Sequence, residues 1–378
     1  MNQCLNRKFL GTFFQKNCTN DCAIHKNNEY LYIDPMTERA NNIKELAGKL
    51  KLSTTTVSRV LNEKSSLYRI SSSTRQKVLN GARKYHYSPN RLARGLKLEK
   101  TETLGLIIPD IANPYFGSIA KSIEVEAHKN GYSIILGDSL EEVPTEAELV
   151  KLLTGRKADG IILAPAGEES GHIAEAAEQG IPIVLIDRFL PGTNLPHVTT
   201  DNYAGAMMAV QHIIQMGHHD IACIQGINGI SANSDRVRGY RDALRKNGIA
   251  INKNFICGTD FGEMNGYRQT RNLLNRPKRP TAIFALSNLI SLGTLRALNE
   301  AGLTVPGDIS LVSFDEQPYS AFLACPMTTV EQPRDRIGKE AFKLMLQCIH
   351  DKKPDQENNK KLMPRLIIRE SVKKISNH

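Results

Sequence analysis

Residues 43–61 read IKELAGKLKLSTTTVSRVL. Ile43, Leu46, Ala47 and Leu50 recur at i, i+3, i+4 and i+7, which puts them on one apolar stripe of a short helix. Lys51 and Leu52 follow, then Ser53, a side chain suited to capping the next helix. That helix, TTTVSRVL, turns Val57, Val60 and Leu61 inward and leaves Thr54, Thr55, Ser58 and Arg59 facing out. Two short helices with a tight join make a helix-turn-helix, whose second helix enters the DNA major groove led by its N-terminal residues. Thr54 and Thr55 are then placed to meet base edges, with Ser58 beside them, and Arg59 to reach a guanine or a phosphate. A third helix is expected after Ser71–Ser73, running to about Tyr85 and packing Val78, Leu79 and Ala82. Serine and threonine start helices of many kinds, so the spacing alone leaves a plain helical hairpin open.

The charge distribution narrows the choice. The chain has 378 residues and a net charge of +10. Residues 36–100 hold 15 Lys and Arg against 4 Asp and Glu, whereas residues 101–378 hold 30 against 32. The basic excess is therefore confined to the stretch around the two helices, as in a polyanion reader joined to a neutral body. A solvated basic surface is the bland alternative.

Past residue 100 the pattern changes. Near-continuous apolar runs alternate with amphipathic stretches: LGLIIP (104–109), YSIILGD (132–138), DGIILAP (159–165), PIVLID (182–187), DIACIQG (220–226), TAIFALS (281–287) and ISLVSFD (309–315). Such runs suit parallel strands buried on both faces, and the alternation calls for a doubly wound α/β architecture long enough for two lobes. Ligands of such sheets sit outside the carboxyl ends of the strands. Asp187 and Asp315 each close an apolar run at that end, as does the segment 110–116 after the first run.

Other classes lack their signals. No apolar run reaches the ~18–20 residues of a membrane span, and residues 1–21 have no signal-peptide core. Seven scattered cysteines read as free thiols of a reducing cytoplasm. Cys18, Cys22 and His25 have no fourth ligand at finger spacing, so no metal site is expected. No G-x-G-x-x-G, Walker-type or G-x-S-x-G motif occurs, so no cofactor and no enzymatic activity are expected.

A set of strings then carries a family resemblance. LSTTTVSRVLN, ISSSTRQKVL, YSPNRLARGLK, LGLIIPDIANPYF, DGIILAP, PIVLIDR, TTDN, RVRGY, VPGDISLVSFD, TTVEQP and LIIRES follow one another in order over residues 42–372. Together they resemble the lactose/purine repressor (LacI/GalR) family of bacterial transcription factors. The resemblance implies an all-α helix-turn-helix head, a hinge helix and a two-lobed α/β effector domain like that of periplasmic sugar-binding proteins. It also implies a cytoplasmic homodimer that binds double-stranded operator DNA under the control of a small-molecule effector, with no membrane partner. The expected division is a disordered extension over 1–40, with translation starting at Met36, a head over 41–87 and a hinge over 88–100. The effector and dimerisation domain then covers 101–372, and a tail 373–378.

By the same resemblance, Leu96 is the apolar wedge of the hinge, while Asn90, Arg91, Arg94 and Lys97 contact phosphate or groove edges. A hinge of about ten residues with Gly95 inside it is marginal as a helix in water, so it is expected to form only on DNA. The cleft falls on Asp110, Asn113, Tyr115, Phe116, Asp187, Arg188, Asp201, Asn202, Arg236, Asn288 and Asp315. Of these, Tyr115, Phe116, Asp187, Arg236, Asn288 and Asp315 are the candidate effector contacts. Asp110, Asn113 and Asp201 have an alternative use as caps of turns or helices. Carboxylates and an arginine around aromatics suit a neutral polyhydroxylated ligand, a sugar above all; because Ser287-Asn288 stands where the family has an Asn-Asp pair, a purine, a phosphosugar or a partner protein stays open. Three departures stand out: Lys51 where the turn usually has Gly or Asn, an extended segment EKSSLYRI (63–70), and His86 in place of the usual Gly. Lys51 is expected to alter the turn slightly, and His86 to keep a positive φ. The rival functions are a sugar-binding protein of a transport system, which would need export, and a sugar-modifying enzyme.

Overall fold

The computed structural model describes residues 39–62, 65–87, 100–351 and 359–375. Residues 1–38 of the expected extension and 88–99 of the expected hinge, with Asn90, Arg91, Arg94, Leu96 and Lys97, lie outside them, as do Cys18, Cys22 and His25, whereas Ala40, expected in the extension, packs into the head. The chain divides into two compact units, residues 1–90 and 91–378.

The first unit is built from α1 (Ile43–Leu50), α2 (Thr54–Leu61) and α3 (Ser72–Lys84). Each starts on a side-chain cap: Asn42, Ser53 and Ser71 accept from the amides of Glu45, Thr56 and Thr74. Glu45 also accepts from the backbone amide of Asn41, one residue before the cap, at 2.9 Å. The three apolar stripes meet in a core of Leu46, Ala47, Leu50, Val57, Val60 and Val78, closed off by Ala40. Lys51 occupies the turn at the position where the family usually has Gly or Asn. It takes the left-handed conformation itself, at φ 54 and ψ 48, and its amide donates to carbonyls of the last turn of α1. His86 likewise has a positive φ, 46.

The second unit holds two six-stranded sheets. The first contains β1 (Thr103–Ile108), β2 (Ser133–Asp138), β3 (Gly160–Leu163), β4 (Ile183–Ile186), β5 (His197–Thr200) and β11 (Lys360–Leu362), in the order β11-β5-β4-β3-β1-β2. The second contains β6 (Ile221–Ile224), β7 (Ile256–Cys257), β8 (Ala282–Ala285), β9 (Ser310–Phe314), β10 (Thr328–Glu331) and β12 (Arg365–Ile367), in the order β12-β10-β9-β8-β6-β7. All pairings are parallel except β10 with β12, an antiparallel edge added to the expected parallel sheet.

The connecting helices are α4 (Pro114–Lys129), α5 (Val143–Gly155), α6 (Gly171–Glu178), α7 (Asn202–Gln215), α8 (Ser231–Lys246), α9 (Glu263–Leu274), α10 (Asn288–Glu300) and α11 (Arg334–Asp351). Helix α7 follows β5 yet packs with the second sheet, and α11 follows β10 yet packs with the first. With β11 leading to β12, the chain passes between the lobes three times, which places several strand ends around one cleft.

The inner strands of each sheet are buried on both faces, as unbroken apolar runs require, whereas the edge strand β2 is half exposed. Leu104, Leu106 and Ile108 point into one layer and Ile107 into the other. In the second lobe Ala282 and Phe284 face α7 and α8, while Ile283 and Ala285 face the layer of Leu273 and Ile290.

Helices α9 and α10 touch backbone to backbone through two glycines. A Cβ on Gly293 would lie 1.9 Å from the Glu263 carbonyl oxygen, and one on Gly266 would lie 2.1 Å from that of Ile290. Neither obstacle is a side chain that can swing away, so the helices would have to part. Gly293→Ala should therefore lower stability by about 1–3 kcal/mol, an overpacking cost. Gly117→Ala, a helical site with nothing within 4 Å, should instead be stabilising by roughly 0.5–1 kcal/mol through helix propensity. Chemical denaturation of the two variants checks the pair, and equal stabilities would show that the α9–α10 approach is not tight.

Candidate nucleic-acid interface and ligand cleft

The outward face of α2 carries the residues expected to meet DNA. Thr54 and Thr55 are exposed in its first turn, while Ser58 and Arg59 are half-buried one turn on. Ser53 is held as the cap, and its hydroxyl lies 2.8 Å from that of Thr56. Ser58 is partly engaged within the helix, because the Asn62 amide nitrogen donates to its carbonyl at 2.8 Å and lies 3.2 Å from its hydroxyl. Arg59 lies against the ring of Tyr68, its guanidinium carbon 3.8 Å from the ring centroid. Tyr68 belongs to the extended segment after α2 and was given no role by the sequence.

In the second unit the strand ends deliver a buried polar cluster. Asp187 directly follows β4 and Asp315 directly follows β9. Both carry a positive φ, 61 and 73, and both are buried, at 4 % and 5 % exposure. A left-handed conformation in an aspartate is a local cost that persists where the surrounding structure fixes it, often at functional sites. Here it turns each carboxylate back toward the space between the lobes. The Tyr115 hydroxyl, in the first turn of α4, donates to Asp187 Oδ1 at 2.6 Å and lies 3.0 Å from Gln332 Oε1. Gln332 Nε2 in turn donates to Asp315 Oδ1 at 2.5 Å. Asp187, Tyr115, Gln332 and Asp315 thus form one chain of close polar contacts from the first lobe to the second. Burial, with Asp187 and Asp315 nearby, holds the Tyr115 hydroxyl well above the ordinary tyrosine range. Burial also pushes the Asp315 carboxyl up, against the opposing pull of Arg236.

Arg236, from α8, is buried and locked. Its Nε donates to Asn202 Oδ1 at 2.8 Å, its Nη1 to the Leu286 carbonyl at 2.6 Å, and its guanidinium lies 3.8 Å from the Phe314 ring centroid. Asn288, opening α10, donates through Nδ2 to Asn113 Oδ1 of the first lobe at 3.2 Å. Its own Oδ1 is buried with no hydrogen-bond partner, as is the side-chain amide of Gln317. Phe116 is buried beside Tyr115, edge to face at 5.0 Å between centroids. A further contact between the lobes runs from the Phe189 amide to the Ser231 hydroxyl at 2.9 Å.

The structure therefore brings Tyr115, Asp187 and Asp315 into one chain, with Arg236, Asn288 and Phe116 around them. Asp110 and Asp201 serve as caps instead, accepting from the amides of Ala112 and Ala204. Asn113 is both a cap, for Tyr115, and an inter-lobe acceptor. Sequence reasoning missed three members. Gln332 is the central bridge. Glu141 grips Arg188 with two 2.7 Å bonds, and Phe261 lies 5.4 Å from the same guanidinium.

A helix-turn-helix with a basic sequence and a two-lobed α/β body with polar groups converging between its lobes is the pairing that known proteins also show. Residues 42–90 match the model of bacterial regulatory proteins of the lacI family, and residues 101–370 match that of periplasmic binding proteins and the sugar binding domain of the LacI family. The chain belongs to the lacI family of bacterial regulatory proteins. It is 35 % identical over 309 residues to the HTH-type transcriptional repressor CytR of Escherichia coli (strain K12), covering 82 % of this chain and 90 % of the repressor. The lac repressor dimer bound to operator and the anti-inducer ONPF shares the fold with a TM-score of 0.78 at 25 % identity, over 88 % of this chain and 99 % of that one. The CelR–cellobiose complex shares it with a TM-score of 0.66 at 28 % identity, over 88 % and 100 %.

The family head and the family effector domain occur together in this chain, so it is a DNA-binding transcriptional regulator with an effector-binding body. A transport-system binding protein is not favoured, because it has no use for the head. Among the described residues no helix is long and apolar enough to cross a membrane, and no group of three or more His, Cys, Asp or Glu could hold a metal ion.

Proposed function

We propose that the protein is a cytoplasmic repressor without enzymatic activity. Its outward α2 face reads operator DNA, and its operator affinity is set by a neutral sugar held between the lobes. The observation that carries the effector half is the buried chain Asp187–Tyr115–Gln332–Asp315 across the lobes, with the unpartnered Asn288 Oδ1 beside it. Hydroxyl groups both donate and accept, so a polyol suits a site that offers two carboxylates, a phenol, an amide and one more buried acceptor. The Phe116 ring supplies apolar surface against which a sugar's C–H face packs. A relative solved with cellobiose, CelR, supports the same ligand class.

Thr54, Thr55, Ser58 and Arg59 are assigned to the DNA, with the hinge residues Asn90, Arg91, Arg94, Leu96 and Lys97 beside them by family pattern. Homodimerisation is supported by the lac repressor dimer, which shares this fold.

Selection of duplexes from a random pool by the full-length protein tests the DNA half. A recurring near-palindromic site is expected. Arg59→Ala should lose about 1–3 kcal/mol of discrimination between the selected duplex and a scrambled one, the worth of a bidentate base contact. A variant with unaltered discrimination, measured by fluorescence anisotropy, would remove Arg59 from the reading face.

A further inference from the structure

The segment that follows α2 folds back as a closed turn. The Ile70 amide donates to the Ser65 carbonyl at 2.9 Å and the Arg69 amide to the Ser66 carbonyl at 3.2 Å, with Arg69 in the left-handed region at φ 50. Ser65 is buried under the turn, while Ser66, Leu67, Tyr68 and Arg69 are exposed. The turn is thereby anchored at its base and presents Tyr68 outward, against the side chain of Arg59 on the DNA-facing helix.

The chemistry of that contact is specific. A guanidinium is planar, and its five N–H donors lie in the plane. Stacking on an aromatic face uses the flat side of the group and leaves the donor edge free. At 3.8 Å the Tyr68 ring is at stacking distance, so it restricts where the guanidinium can swing without consuming a donor. A guanine presents O6 and N7 side by side in the major groove and is read by two parallel donors in one plane. A free arginine can instead reach a phosphate, which carries no sequence information.

We propose that Tyr68 is a positioning residue for sequence discrimination, which stacks on Arg59 and holds its donor edge toward a base rather than a phosphate. The proposal rests on Arg59 facing DNA as assigned above. It also gives the extended loop a use, since the turn is what carries the ring to that place.

Full-length wild type, Tyr68→Ala, Tyr68→Phe, Tyr68→Leu and Arg59→Ala are titrated by anisotropy with three duplexes. These are the site selected from the random pool, the same site with its guanine positions substituted one at a time, and a scrambled sequence. Tyr68→Ala and Tyr68→Leu should reduce discrimination at one guanine position per half-site by about two- to five-fold, the size of an exposed cation–π contact. Binding to the scrambled duplex should not change. Tyr68→Phe, which keeps the aromatic face, should behave as wild type, whereas Tyr68→Leu keeps apolar bulk and so separates stacking from packing. Arg59→Ala should abolish discrimination at that same position.

If Arg59→Ala leaves every position unaffected, the assignment of Arg59 fails and the proposal with it. If Arg59→Ala acts and Tyr68→Ala does not, only the positioning role fails. Equal losses of Tyr68→Ala on selected and scrambled duplexes, or a loss in Tyr68→Phe as large as in Tyr68→Ala, would also overturn it. Tyr68 is 45 % exposed, so the head is expected to keep its fold in all three variants, and thermal melts of the full chain check this.

Discussion

Asp315→Ala should leave the protein able to bind its selected duplex and unable to change that affinity when the sugar is added. Asp315 stands where β9 ends, turned by its positive φ into the space between the lobes, and it is the second-lobe end of the chain through Gln332 and Tyr115 to Asp187. A ligand can shift an equilibrium between lobe arrangements only by as much as it binds one better than the other. Differential contact is concentrated where both lobes meet the ligand at once, and Asp315 is such a place. Effector coupling in regulators of this size runs at about 1–3 kcal/mol, or roughly 5- to 150-fold in affinity. The variant should bring that factor close to one. Linkage makes the loss reciprocal: saturating DNA should also stop altering sugar affinity. Removing the carboxylate leaves Gln332 Nε2 without its acceptor, a stability loss of about 1–3 kcal/mol, which does not touch the α2 face. DNA titrations with and without a panel of sugars decide the matter, and a normal response in Asp315→Ala would show that the effector sits elsewhere.

Much of this architecture could be read from the chain because its physics is local. The seven apolar runs became β1, β2, β3, β4, β6, β8 and β9; six of these are inner strands buried on both faces, where apolar residues prevail, while β2 lies half exposed at a sheet edge. The same rule located Asp187 and Asp315, the first polar residues after such runs. The strands that went unread are β5 (HVTT), β7 (IC), β10 (TTVE), β11 (KKL) and β12 (RLI). They are short or rich in Thr, Lys and Arg, and β7, β11 and β12 lie at sheet edges where one side needs no partner. The cleft was legible only in part for a different reason. Gln332 sits within TTVEQP, but its partner Tyr115 is 217 residues away in the chain, and no spacing rule joins them. Lys51 shows local preference yielding to tertiary packing. A left-handed lysine costs about 1–2 kcal/mol, yet its two-helix turn is held from both sides by Leu46, Leu50 and Val57 in one core.

Glu141→Ala should be among the most destabilising single changes in the second unit. Arg188 is 3 % exposed, and its fork is matched by the Glu141 carboxylate, with both Nη atoms at 2.7 Å, while Nη1 also donates to the Pro165 carbonyl at 2.8 Å. Asp187 Oδ2 stands 3.5 Å from Nε, so the ligand-facing carboxylate and the buried guanidinium share one electrostatic setting. The chain strains to supply Glu141. Leu140 and Glu141 are consecutive left-handed residues, at φ 55 and φ 58, fixed by the Leu140 amide on Asp138 Oδ1 and the Glu141 amide on the Pro109 carbonyl. Without the carboxylate a buried cation keeps only the looser pull of Asp187 and Glu146 to balance it. Breaking a buried pair in this one-sided way costs about 3–5 kcal/mol. At roughly 2–4 °C per kcal/mol for a domain of this size, the melting temperature should fall by about 6–20 °C. The companion double variant Glu141→Ala with Arg188→Met should recover part of that loss, because it removes the charge as well as its partner. It should also alter the sugar response, since Asp187 loses the neighbour that holds it. Calorimetry on the single and double variants separates the cases: a double variant no more stable than Glu141→Ala alone would show that the pair matters through packing and not through charge.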